Sequence, residues 1–307
     1  MLYNNLSGYF RKKYGKRLGK ICIDGGFSCP NRDGTCGTGG CIYCGERGAG
    51  EHIFTKDTES IAKSISEQVA RGLAGAKEDD LFVAYFQNFT NTYAPIATLK
   101  ERYDAALIDS RIAALAIGTR PDCISEEVAK LIAGYKDKCD VWVELGLQTA
   151  NDETARLINR GYGKERFKEA MEILSRYGIS VCVHLIIGLP GEDDDDIRRT
   201  VEYLADFSIW GIKIHSIYVM EGTRLAEMHR ENLYTPPTLE DYIRRAVYII
   251  THISGDIIIH RLTGDCSENM LIAPDWNRNK HALIERIQHE LSASGLYQGI
   301  YYNCRHI

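Results

Sequence analysis

The sequence predicts an α/β protein: a partial (β/α)6 TIM-like barrel of parallel strands with a C-terminal α/β extension. Three observations carry this. Short apolar runs alternate with longer amphipathic stretches six times between residues 20 and 219. The runs are nearly continuous in apolar residues, as strands covered on both faces are. The informative polar segments fall directly after the runs, where parallel α/β sheets gather their chemistry. With 307 residues and a hydrophobic fraction of 44%, the chain can build one large barrel or two ordinary domains.

The elements follow in order. "KICID" (20–24) is a strand, and a cysteine-rich loop follows it. In "TESIAKSISEQVARGLAG" (58–75), Ile61, Ile65, Val69 and Leu73 make a helical stripe. "LFVAYF" (81–86) and a helix near 96–109 form the second unit. "IAALAIG" (112–118) precedes a helix capped by Ser125, with Glu126 and Glu127 behind the cap. "VWVELG" (141–146) leads to helical material from Asp152 to Tyr177. "ISVCVHLIIG" (179–188) leads to a helix opening in the acidic run Asp193 to Asp196, a charge placement the helix dipole favours. "IKIHSIYV" (212–219) is the sixth strand. After residue 220 come a break at "TPPT" (235–238), a helix at 239–253, a strand at "DIIIH" (256–260) and a helix over 278–294. The expected organisation is a basic N-terminal segment (1–18), the barrel (19–220) and an extension closing it (221–307). No internal repeat or low-complexity segment is evident.

Charged residues make up 26% and the formal net charge is −5, which excludes a disordered chain and a protein that coats nucleic acid. One segment differs: Arg11, Lys12, Lys13, Lys16, Arg17 and Lys20 fall within ten positions. Such a patch is either a solvated arm or a docking site for a phosphate backbone. No apolar run reaches the length of a membrane span, and "MLYNNLSGYFRKKYGKR" lacks a signal-peptide core, so a cytoplasmic protein without a membrane partner is expected.

"FSCPNRDGTCGTGGCIYCGERG" (27–48) holds Cys29, Cys36, Cys41 and Cys44, four of the ten cysteines. Cys41 and Cys44 form a Cys-x-x-Cys pair that can place two thiolates on one metal centre. Glycines 34, 37, 39 and 40 let the chain wrap tightly. Spacing alone leaves open a four-thiolate zinc site, a redox dithiol, or three irons of a [4Fe-4S] cluster with one iron free. Cys22 and most cysteines after residue 44 read as structural.

A cysteine triplet after the first strand of a parallel barrel, ending in "CIYC", resembles the radical SAM enzymes. "VELGLQT" (143–149), "INRGY" (158–162) and "HLIIGLPGE" (184–192) resemble that superfamily's elongator-like and coproporphyrinogen-oxidase-like branches. "CPNRDGTCGTGGCIYC", "YFQNFTNTYAP", "IGTRPDC", "VELGLQTANDETARLINRGY" and "HRLTGD", in that order, resemble the YhcC/YtqA-type radical SAM proteins from about residue 8 to 278.

The resemblance implies that Cys29, Cys41 and Cys44 hold a [4Fe-4S] cluster. S-adenosylmethionine would chelate the open iron, and an electron from a flavodoxin- or ferredoxin-type donor would cleave it to a 5′-deoxyadenosyl radical that abstracts a substrate hydrogen. The first gap is longer than the superfamily's usual three residues. Cys36, four residues before Cys41, comes nearer the common spacing and is either a bystander or a substitute ligand. Tyr43 and the backbone at Gly188 are implied at the adenine, Gln148 and Arg160 at the ribose and methionine carboxylate, and His184 at an unspecified point on the cofactor. Elongator-like relatives carry a glutamate where this chain has Gly118, so the ribose contact passes to Glu144 or Gln148. No copy of the Gly-Gly-Glu that binds the cofactor's amino group is present, and Gln87, Asn88 or Thr90 stand in its place. Arg120, Asp122, His215, Glu221, Arg261 and Asp265 are candidates for substrate contact and catalysis.

The resemblance also implies modification of the C5 side chain of tRNA wobble uridine, carboxymethylaminomethyl towards aminomethyl, with segment 11–20 docking the tRNA. The alternatives are the same radical chemistry on a small metabolite or protein, and a non-enzymatic zinc or iron–sulfur binding protein.

Overall fold

The computed structural model describes residues 2–46, 48, 60–264, 266 and 268–302. Seven strands form one parallel sheet whose spatial order is their chain order. They are β1 (Leu18–Ile23), β2 (Leu81–Phe86), β3 (Ile112–Thr119), β4 (Asp140–Gln148), β5 (Ser180–Ile187), β6 (Gly211–Ser216) and β7 (Ile258–Arg261). The sheet curls into a half-barrel, so side chains of strands that are not neighbours meet inside it. Lys213 on β6 donates to the Tyr85 hydroxyl on β2 at 3.2 Å, and the rings of Trp142 on β4 and His260 on β7 are 6.0 Å apart.

Ten helices are described: α1 (Leu6–Tyr14), α2 (Ile61–Leu73), α3 (Ile96–Ala106), α4 (Glu126–Ala133), α5 (Asp152–Leu157), α6 (Lys164–Arg176), α7 (Asp194–Leu204), α8 (Arg224–Arg230), α9 (Leu239–His252) and α10 (Lys280–Ala293). The main core lies between the outer face of the sheet and the helices. Ile65 and Val69 of α2, Phe167 of α6 and Ile250 of α9 pack there on Ile23, Ile117, Val143 and Val183. The caps form where the sequence places them: Ser125 Oγ accepts from the Val128 amide at 3.2 Å, and Asp193 with Asp196 makes a capping box on α7.

The structure departs from the expectation in four places. The strand near 256–260 joins the barrel as a seventh parallel strand beside β6. The helical material expected over 152–177 resolves into two helices, because Asn159 (φ 52°) and Gly161 (φ 82°) turn the chain between them. Val219–Met220 and Leu271–Ala273 form a small antiparallel pair, and helix α8 was not anticipated.

The fourth departure is α1. Its Phe10 and Tyr9 rings pack on Trp142 and Trp210, and Tyr14 bonds the Ala113 carbonyl and Asp140, all at the N-terminal ends of strands. The expected tRNA-docking segment therefore plugs the floor of the barrel, at the end opposite the cavity described below. Lys13 pairs with Asp140 at 2.6 Å, Lys16 pairs with Asp79 at 2.7 Å, and the ammonium of exposed Lys20 lies over the Tyr85 ring. Half of the basic residues are thus committed to the fold, and none flanks the cavity mouth.

Phe10 is 4% exposed. Phe10→Ala is expected to lower the unfolding free energy by about 3 kcal/mol in urea titrations. Lys12→Ala, on the exposed face of the same helix, should shift it by less than about 0.5 kcal/mol.

Candidate active site

A cavity of about 210 Å³ opens at the C-terminal ends of the strands. The cysteine loop after β1 walls one side. Gln87, Phe89 and Thr90 after β2, Gly118 to Arg120 at the end of β3, Glu144 to Gln148 on β4, His184 on β5, and His215 to Tyr218 from β6 onward supply the rest.

The cysteine loop is shaped by its own polar residues. The amides of Arg32 and Asp33 donate to the Cys29 carbonyl at 2.8 and 3.2 Å, and the Cys44 amide donates to the Cys41 carbonyl at 3.0 Å. Buried Asn31 donates to the Asn159 carbonyl at 2.6 Å, and the Asn159 side chain returns bonds to the carbonyls of Thr38 and Gly40. Arg32 gathers the carbonyls of Cys44, Gly45 and Glu46 and lies 5.7 Å over the Phe89 ring. The loop is thereby stitched to the turn between α5 and α6.

Cys29, Cys41 and Cys44 all line the cavity. Cys36 does not: it is exposed, its thiol donates to Asp122 at 3.8 Å, and it accepts from Arg120 Nη2 at 3.5 Å. The Cys44 thiol hydrogen-bonded to it, together with Arg120, holds Cys41 below the ordinary thiol range despite burial. Thiolates around one zinc must come within about 3.8 Å of one another. Among the described residues, the set of three metal-type donors that converges within 4.8 Å is Glu144, Cys182 and His184, not the loop thiols. Cys41 and Cys44 are hydrogen-bonded to each other, and Cys29 lines the same cavity, so three thiols are available to one metal centre.

Polar atoms lie along the cofactor-facing wall. Gln148 ends β4 in the left-handed region (φ 61°), a conformation non-glycine residues seldom adopt, and its Oε1 accepts from the Tyr162 hydroxyl at 3.1 Å. Tyr162 lies between two guanidinium groups, Arg160 at 4.6 Å and Arg120 at 4.8 Å from its ring centroid. Tyr43 packs with Ile186 against the apolar cluster of Ile158, Leu189 and Ile217. Thr90 Oγ1 and His215 Nε2 are buried without a hydrogen-bond partner, so the wall holds polar atoms with capacity for a ligand. At Gly118 a Cβ would sit 3.0 Å from the Phe86 carbonyl oxygen, tighter than ordinary contact.

The cavity floor is charged. Glu144 accepts from Trp142 Nε1 at 3.3 Å, from His184 Nε2 at 2.9 Å and from Lys213. Burial opposes its charge, but Lys213 and His184 outweigh burial and hold its carboxyl well below the usual range. Burial keeps His184 below the ordinary imidazole range, so the ring is neutral and donates Nε2–H to the carboxylate. Both Glu144 oxygens are engaged.

The structure thus brings Cys29, Cys41, Cys44, Tyr43, Gln87, Arg120, Glu144, Gln148, His184 and His215 to one cavity. Arg160 stands behind the wall, 0% exposed, donating to the carbonyls of Leu147, Thr149 and Tyr162. Gly188 (φ 98°) is packed under Ile217 and Pro237, and its carbonyl accepts from Tyr234. Glu221 lies on an adjoining groove, paired with Arg230. Arg261 faces the barrel interior as the register partner of Lys213, and Asp265 lies outside the described residues. Sequence reasoning missed Lys213, Arg32 and Tyr162. The lysine left a signal, a cation inside the apolar strand "GIKIHSIYV". Arg32 and Tyr162 stood within quoted motifs without a role.

Comparison with known proteins agrees with this geometry. The Radical SAM superfamily pattern matches residues 33–204, and the Radical_SAM C-terminal domain pattern matches 209–293. YtqA of Bacillus subtilis is 35% identical over 98% of this chain and 92% of its own length. YhcC of Escherichia coli is 34% identical over 96% and 94%. A tRNA uridine(34) acetyltransferase of Methanocaldococcus jannaschii is 29% identical over 62% of this chain and 31% of its own length. Among solved structures, the Methanocaldococcus infernus Elp3 with an N-terminal deletion superposes with a TM-score of 0.66 at 19% identity, covering 94% of this chain and 68% of that one. Seven parallel strands ending at a cavity with three cysteine thiols, and relatives similar over nearly the whole chain, make this protein a member of the radical SAM superfamily in its YhcC/YtqA-type group, with a [4Fe-4S] cluster and S-adenosylmethionine as cofactors.

Proposed function

We propose that this radical SAM enzyme modifies the C5 side chain of tRNA wobble uridine, converting carboxymethylaminomethyl towards aminomethyl. In this reading Cys29, Cys41 and Cys44 hold the cluster. The observation that carries it is the three-to-one division of the loop thiols: three on the cavity wall, and Cys36 turned out to Asp122. Bound together and reduced by a flavodoxin- or ferredoxin-type donor, the cofactors supply a 5′-deoxyadenosyl radical that abstracts hydrogen. The similarity to a tRNA uridine(34) acetyltransferase supports the wobble position as target.

The chain's own residues then position and shield. Gln148, held by Tyr162, presents an amide to the ribose. Tyr43 lies beside the adenine and keeps water from that side. Arg120, braced by Asp122 at 2.7 Å and by the Arg160 carbonyl at 3.0 Å, places a fixed positive charge at the rim. Arg160 acts through these neighbours as a positioning residue.

After anaerobic reconstitution with iron, sulfide and dithionite, Cys29→Ala, Cys41→Ala and Cys44→Ala should each lose the cluster absorbance. Each should also cut deoxyadenosine formation by more than about 100-fold. Cys36→Ala should keep both within about threefold. Loss in Cys36→Ala with retention in Cys29→Ala would overturn the ligand assignment. Gln148→Ala should raise the Kd for S-adenosylmethionine about tenfold at unchanged iron content, one hydrogen bond's worth to a polar ligand. The substrate is tested by incubating tRNA carrying 5-carboxymethylaminomethyluridine and analysing its nucleosides by mass. An aminomethyl product is expected, and an unchanged nucleoside beside ample deoxyadenosine would refute the tRNA reading.

A further inference from the structure

We propose that His215 is a specificity-determining contact for the substrate: its Nδ1–H, open to the cavity, donates a hydrogen bond to an oxygen acceptor on the modified base or on its side chain. The identity of that base rests on the wobble-uridine reading.

His215 is held in place by its neighbours. Strand alternation puts Lys213 and His215 on the inner face of β6, while Ile212 and Ile214 join the core on the outer one. The His215 ring lies 5.0 Å from that of His184, which Glu144 fixes in turn at 2.9 Å. The end of β6 is pinned as well. The Ile217 amide donates to the Ile187 carbonyl at 2.9 Å, the Gly264 amide donates to Ser216 Oγ at 2.8 Å, and Ser216 Oγ donates to Asn277 Oδ1 at 2.6 Å. A side chain on so firmly held a strand end is preorganised for a ligand.

The hydrogen-bonding capacity of this ring is unspent. His215 lines the cavity and is half-buried, whereas its Nε2 is fully buried and has no partner. Nδ1 is not buried and makes no hydrogen bond among the described residues, so it is the nitrogen open to the cavity. Burial, then His184, Arg261 and Lys213, hold the ring well below the ordinary imidazole range, so it is neutral and carries one N–H. A buried orphan acceptor is tolerated more readily than a buried orphan donor, which places the proton on Nδ1 and the lone pair on Nε2. The cationic neighbours make this wall unfavourable for an ammonium group and favourable for an oxygen acceptor. Among the strands that line the cavity β6 is the last, and the cysteine loop follows the first, so His215 and the thiols belong to opposite ends of the curled sheet. The cofactors take the thiol side, and His215 falls to the substrate.

The test uses reconstituted protein with S-adenosylmethionine bound and two anticodon stem-loops, carrying carboxymethylaminomethyluridine or aminomethyluridine at the wobble position. His215→Phe keeps a ring without its nitrogens. His215→Asn puts an amide nitrogen near the place of Nδ1, and His215→Gln puts one near the place of Nε2. His215→Phe should raise the stem-loop Kd about tenfold, the worth of one hydrogen bond, at unchanged iron per chain and unchanged Kd for S-adenosylmethionine. His215→Asn should return to within about threefold of the parent, and His215→Gln should stay as weak as His215→Phe. A loss on both stem-loops sustains the contact with a base carbonyl as acceptor; a loss on the first alone sustains it with the side-chain carboxylate. Recovery by His215→Gln and not by His215→Asn overturns it. A matching loss of S-adenosylmethionine affinity in His215→Phe also overturns it, because the ring then serves the cofactor. A parent that binds neither stem-loop overturns the contact together with the wobble-uridine reading. Tight binding by the parent with no loss in His215→Phe overturns the contact alone.

Discussion

The buried guanidinium of Arg160 is the interaction on which the site depends. Removing a cation from water is costly, and here the carboxylate within 4 Å, among the described residues, is Asp152 at 3.7 Å. Backbone carbonyls do the solvating instead: Leu147 and Thr149 at the end of β4, and Tyr162 in the turn between α5 and α6. The Arg160 carbonyl in turn accepts from Arg120 at the end of β3. One side chain therefore ties together two strand ends and the turn to which the cysteine loop is stitched through Asn31 and Asn159. The left-handed backbone of Gln148 lies within the span it clamps, which is how an unfavourable conformation is maintained.

A polar lumen is the second constraint. The outer face of the sheet packs on helices with aliphatic side chains, whereas the inner face carries Tyr85, Glu144, His184 and Lys213. Such a network is tolerated because each charge has a partner: Glu144 meets a lysine, an imidazole and an indole. Below it, Trp142, Trp210 and Phe10 form an aromatic plug that separates the charges from solvent at the floor. The site thus lies between an apolar stopper and an open mouth.

Much of this was legible in the sequence, for identifiable reasons. The six-fold alternation gave the barrel because parallel strands buried on both faces leave a continuous apolar signature. The cysteine loop stood out because thiols are rare and its glycines are dense. What escaped was governed by tertiary contacts. Where the helical material over 152–177 divides was not marked, because Asn159 and Gly161 are only weak stops; their effect depends on the bonds of Asn159 to Thr38 and Gly40. The seventh strand was seen as a strand but not as part of the barrel, since four residues carry no signal of which edge they join. The basic segment reads identically as a docking patch or a plug, and the choice was made by Phe10 and Tyr9, not by its charges.

The closure of the open edge has a consequence for how the molecule is made. Ile259 of β7 donates to the Asn4 carbonyl at 2.8 Å, and the Asn4 amide donates to Gln298 Oε1, a contact spanning 294 residues. Closing so long a loop is slow and awaits nearly the whole chain. During synthesis the N-terminal helix can nonetheless reach its aromatic seat on Trp142 and Trp210 well before the strand and helix that pin its start have emerged. The thiols, by contrast, are available from the start. The last contacts to form are thus those that pin Asn4 at the open edge, not the aromatic floor.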